Sequence, residues 1–108
     1  MTTFDERERS FEKKFALDQE RKFKVAARRT TLFGQWAAAR LGLSGAAVED
    51  YIKALHRADV GGKGGDAVLK RVLQDLTDKG VAVGADELKE VLQRLTAQVE
   101  AQLAAKGA

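Results

Sequence analysis

The chain has 108 residues, 19 of them basic and 16 acidic, with a net charge of +3, no cysteine and no proline. This length fits one domain with a single core. The absence of cysteine removes disulfides, thiolate metal sites and a cysteine nucleophile. No stretch approaches the ~20 apolar residues of a membrane span, and the first 20 residues, with six acids and four bases, do not form a secretory signal. A cytoplasmic protein that does not insert into membranes is expected.

Thirteen of the first 24 residues are charged, yet Phe4, Phe11 and Phe15 share one helical face. At about 100° per residue, positions seven and eleven after Phe4 return to within about 20° of it. The resulting ridge is too thin for a core and suits docking elsewhere. Thr3-Phe4-Asp5-Glu6 fits a capping box, so a helix can begin at Phe4. Opposite charges four apart, at Asp5/Arg9, Lys14/Asp18, Asp18/Lys22 and Glu20/Lys24, each add about 0.2–0.5 kcal/mol. Such small terms leave an isolated arm partly helical, to be completed on binding. The polar run Asp18 to Lys22 ends the ridge.

From Phe23 the apolar face widens through Val25, Ala26, Ala27, Leu32, Phe33, Trp36, Ala37 and Leu41. Gly34 interrupts this helix and permits close approach of a neighbour. Gly42 suits a left-handed helix end, and Ser44 is the expected cap of the next helix. Val48, Tyr51, Ile52 and Leu55 mark a second buried stripe. Val60 to Gly65 reads as a glycine-rich linker, followed by Asp66 as an N-cap. Val68, Leu69, Val72, Leu73 and Leu76 form a third stripe closed by Gly80, and Leu88, Val91, Leu92, Leu95, Val99 and Leu103 form a fourth. The fold class is therefore all-α. A small four-helix bundle over residues 20–108, preceded by a mobile, partly helical arm over 1–19, is expected.

Residues able to support catalysis are sparse. His56 is the sole histidine and lacks a second imidazole or a thiol to complete a metal or nucleophile site. Gly61 to Asp66 lacks the phosphate-loop spacing and a preceding strand, so a linker is the better reading. Charge is unevenly spread, because Arg21 to Val48 holds six basic groups and no acid. Within that stretch Trp36 reads first as a core anchor. Its alternative is a nucleotide site in which Trp36 stacks a base and Arg28, Arg29 or Arg40 holds phosphate.

Many fixed spacings coincide with one family. Phe4-Asp5, Arg7-Glu8, Phe11-Glu12, Lys14-Phe15-Ala16, Asp18, Glu20, Phe23-Lys24, Ala27-Arg28-Arg29, Leu32, Gly34, Trp36-Ala37-Ala38, Leu41-Gly42-Leu43 and Arg57-Ala58-Asp59 resemble the zeta inhibitor subunit of alphaproteobacterial F-type ATP synthases. The resemblance implies a regulator and not an enzyme: a four-helix bundle whose N-terminal segment enters a catalytic interface of the synthase head and blocks ATP hydrolysis. Carried over by position, the inhibitory interface comprises Phe4, Asp5, Arg7, Glu8, Phe11, Glu12, Lys14 and Phe15. The implied partners are the catalytic and non-catalytic subunits, with the central stalk within reach. No cofactor is required, ADP or ATP being a regulatory ligand of the bundle, and the location is peripheral to the inner membrane through the synthase. Two rival readings remain. A basic nucleic-acid-binding module would use Arg21 to Val48 but leaves the arm unexplained, and a generic adaptor would dock its arm in another protein's groove.

Overall fold

Without proline, nothing in the sequence forces a break inside the apolar-periodic segments, and the chain folds into four helices separated by glycine-containing turns. The structure, a computed structural model, describes the backbone of residues 2–59 and 65–105 and the side chains of residues 20–59 and 65–105. Helix α1 spans Thr2–Leu41, α2 Ala46–Ala58, α3 Asp66–Asp78 and α4 Ala85–Ala105. No strand occurs among the described residues. The all-α, four-helix expectation holds. Mobility of the arm concerns residues whose side chains lie outside the described ones, and the boundary drawn between residues 19 and 20 falls within α1.

One stripe of α1 supplies the centre of the bundle. Phe33, Ala37 and Leu41 pack with Leu55 of α2, with Val68, Leu69, Val72 and Leu76 of α3, and with Leu88, Val91 and Leu92 of α4. Helix α1 touches all three other helices, whereas α2 meets α3 and α3 meets α4. Val25 and Val99 are buried nearer the arm end. Each fully buried leucine or phenylalanine stabilises the fold by roughly 1.5–3 kcal/mol.

Two turns close by the same device. Gly42 and Gly80 take positive φ, 76° and 84°, which lets the chain leave the helix without a Cβ clash. In each, the next residue donates back across the last turn, Leu43 N–H to Ala38 O at 2.9 Å and Val81 N–H to Leu76 O at 2.9 Å. The glycines themselves donate to Ala39 O and Thr77 O, at 3.3 and 3.0 Å, completing both Schellman motifs.

The other ends differ from expectation. Gly45, and not Ser44, occupies the N-cap of α2, and it provides no side-chain cap. Gly65 likewise precedes α3, so Asp66 is the first helical residue and not the cap. There its carboxylate still favours the positive end of the helix dipole. The glycine linker before Gly65 lies outside the described residues. The second stripe is shallower than its pattern suggests: Leu55 is fully buried, whereas Val48, Tyr51 and Ile52 are half-buried. Phe23, expected to open the core face, is instead 74% exposed.

Gly34 brings α1 and α2 together. A Cβ at this position would lie 2.8 Å from Ile52 Cγ1, 3.2 Å from Leu55 Cδ1 and 3.4 Å from Ile52 Cα. Alanine would gain about 1 kcal/mol of helix propensity, but overpacking costs about 1–3 kcal/mol, and Ile52 is branched and close to its own backbone. Gly34→Ala is therefore expected to destabilise the bundle by about 1 kcal/mol, lowering Tm by about 4–8 °C. A circular-dichroism melt checks this, and a raised Tm would show that α2 yields freely.

Candidate functional site

The eight arm residues offered as an inhibitory interface, Phe4, Asp5, Arg7, Glu8, Phe11, Glu12, Lys14 and Phe15, belong to α1. Their side chains lie outside the described residues, as do the arm's ion pairs other than Glu20–Lys24. That pair is formed at 3.4 Å with both side chains mostly exposed, and it contributes little.

The four residues offered for a nucleotide separate into three places. Arg28 is exposed and lines a groove between α1 and the end of α4. Arg29 faces the start of α3, its guanidinium beside Gly65, in a cleft that also includes Asp66, Lys89 and Glu100. Its Nε is buried and has no hydrogen-bond partner among the described residues. Trp36 and Arg40 do meet, with the guanidinium carbon 4.2 Å from the ring centroid, within cation–π range. Trp36 also stacks on Phe33, their centroids 5.8 Å apart and their planes 9° from parallel. Half-buried, it anchors the edge of the core and not its centre.

Polar ties join the helices around this core. Thr30 is buried and donates from Oγ1 to Asp59 Oδ2 at 3.4 Å, joining α1 to the end of α2. Thr31 Oγ1 donates to Ala27 O at 3.1 Å and lies 2.9 Å from His56 Nε2. The hydroxyl thus bridges the Ala27 carbonyl and the His56 ring, joining α1 to α2. On the α2–α3 side, Tyr51 OH donates to Asp75 Oδ2 at 2.8 Å, and Arg71 Nε donates to the same oxygen at 3.0 Å. No group of three or more histidine, cysteine, aspartate or glutamate residues among the described ones could hold a metal. Nor is any helix of the described residues long and apolar enough to cross a membrane.

The scaffold thus offers helix faces, and the family comparison says what kind of protein carries them. The family model for ATPase inhibitor subunit zeta matches residues 1–102. The chain belongs to the ATPase inhibitor zeta family. No match is found among curated proteins. In a zeta-family chain the expected role is that of a regulatory subunit acting on an ATPase. The matched span includes the phenylalanine ridge and the apolar stripes of the bundle helices up to Val99, leaving out only Leu103 of the fourth.

Several residues that hold this zeta-family bundle together were missed in the sequence. Thr30 lies among apolar neighbours, three residues before Phe33 and seven before Ala37, so its position signals burial although its polarity does not. The Tyr51–Asp75 contact carries no such signal, because the partners are 24 residues apart. Arg71 and Asp75, four apart on α3, do fit a helix pair.

Tyr51 titrates high. Burial, then the hydrogen bond to Asp75 and the charge of Asp75, raise its pKa above the ordinary 10.0, while Arg71 acts in the opposite direction. The fold favours the protonated phenol, so this contribution is fully present below pH 10 and is lost as pH rises toward the folded-state value. Tyr51→Phe should lower stability by about 1 kcal/mol at neutral pH. Urea melts at neutral and strongly alkaline pH check the sign: the gap between wild type and variant should narrow above pH 10. A constant gap would mean that the Tyr51 proton is not linked to folding.

Proposed function

We propose that this chain inhibits ATP hydrolysis by an F-type ATP synthase, with residues 1–19 inserting as a helix into a catalytic interface of the head. The observation that carries the reading is the family match, which extends through the arm from residue 1. The sequence adds the ridge. Phe4, Phe11 and Phe15 would fill apolar recesses between catalytic and non-catalytic subunits, while Asp5, Arg7, Glu8, Glu12 and Lys14 on the flanks find ionic partners there and on the central stalk. A rotary enzyme must open and close that interface in each cycle, so a wedged helix holds it in one state. Buried aromatic surface, at roughly 25 cal/mol per Å², offsets the cost of ordering the arm. Held in this way, the chain is cytoplasmic and sits at the membrane periphery through its target.

The bundle's part in this proposal is to carry α1 and keep it folded where the arm begins. Regulation by ADP or ATP belongs to the same reading, with Trp36 and Arg40 as the candidate pair already in contact. The nucleic-acid alternative is weaker, because Arg28, Arg29 and Arg40 do not line one surface.

Deletion of residues 1–19 should leave a cooperative thermal transition but abolish inhibition of ATP hydrolysis by the purified head. Undiminished inhibition by the truncated chain would refute the arm assignment. A titration with ADP or ATP should change Trp36 fluorescence, and Arg40→Ala should reduce that response. A flat signal at saturating nucleotide would remove Trp36 and Arg40 from the proposal.

A further inference from the structure

Phe23 is the large apolar side chain left most open among the described residues, and it is not isolated. It forms one wall of a groove where α1 runs beside the end of α4, with Ala27 along the same wall and half-buried Leu103 opposite. Val99, closed to solvent, lies at its base. Lys24 and Arg28 edge it, and no acid lines it among the described residues. Lys24 is shared with Glu20 in an exposed pair, which leaves Arg28 as the freer charge. Arg21 and Lys22 extend the same basic character toward the arm. A lone exposed phenylalanine needs no explanation, but an apolar trough with a basic rim is the form of a helix-binding groove.

We propose that this groove is a second docking surface for the ATPase, receiving an amphipathic helix that is apolar toward Phe23 and Leu103 and acidic along the flank facing Arg28. The inference rests on the reading that the arm engages the same target. Two observations select this occupant. The groove begins at residue 23, directly after the arm and on the same helix, so a body that grips the arm lies alongside it. The rim is basic without acids, which matches an acidic partner and opposes a second copy, since a two-fold contact would set Arg28 and Lys24 against their own equivalents. The groove then registers the bundle against the head and adds affinity, while the arm performs the block.

The test uses the full chain with Phe23→Ala and, separately, Arg28→Glu, measuring both the Kd for the purified head and the inhibition of its ATP hydrolysis. Phe23 is exposed, so its variant should melt with the wild type, and a matching melt is the folding control. Each variant should bind about tenfold more weakly, with maximal inhibition at saturation unchanged. For Arg28→Glu the Kd should also depend less on salt. Unchanged Kd for both variants would overturn the groove while leaving the arm intact, whereas inhibition by the chain lacking residues 1–19 would refute the arm alone. Loss of maximal inhibition at saturation would also overturn the docking role. So would a free-chain dimer, seen by sedimentation, that Phe23→Ala dissolves without affecting binding to the head.

Discussion

Everything in this fold depends on the buried stripe of α1. Phe33, Ala37 and Leu41 reach the other three helices, and Gly34 and Ala38 keep that face low enough for α2 to approach. Removing α1 would leave α2, α3 and α4 with only the α2–α3 and α3–α4 contacts, and the apolar faces turned toward Phe33, Ala37 and Leu41 open to water. The same helix continues back to Thr2, so the element that organises the core also carries the segment proposed to act on the ATPase. Stability and the proposed inhibition are therefore written on different lengths of one helix. Substitutions at the buried positions Phe33, Ala37 and Leu41 should act on folding first, whereas under the proposed reading changes at exposed Arg28 or before Asp18 should act on binding first.

Much of the architecture could be read from the sequence because the signals were periodic. The apolar stripes of α3 and α4 recur at helical spacing, and Leu88, Val91, Leu92 and Val99 are all buried. Gly42 and Gly80 were legible as stops because each follows the last apolar residue of its stripe, where a positive φ is needed. The starts of α2 and α3 were less legible. Ser44 and Asp66 have capping side chains, but adjacent Gly45 and Gly65 adopt positive φ and take the cap positions themselves. Local side-chain preference was overridden by the direction the chain had to turn. Phe23 misled for another reason: its spacing fits the stripe, but at that level α1 meets only the end of α4.

The candidate site was legible only in part. The ridge of three phenylalanines follows from spacing alone, and its family resemblance agrees with the family match. Where those side chains sit lies outside the described residues. In the bundle, closeness in sequence gave a poor guide to closeness in space. Arg28 and Arg29 are neighbours, yet a turn of about 100° sends one to the α4 groove and the other toward α3. Arg40 stands about 18 Å further along the axis than Arg28, at 1.5 Å per residue. Tyr51 and Asp75 show the converse, being distant in sequence and joined across two helices.

The glycines that open α2 and α3 have a kinetic consequence. Each helix has 13 residues and starts without a side-chain cap, so neither would persist as an isolated peptide in water. They must form as they pack, with α1 as their template. Short connections keep most contacts local, which favours rapid folding through a single barrier and disfavours a populated half-bundle. Backbone amides of α2 and α3 should therefore exchange with solvent mainly through global opening. The described core cluster begins at Phe33, so sequence change before residue 20 should leave the rate at which the scaffold assembles unaltered.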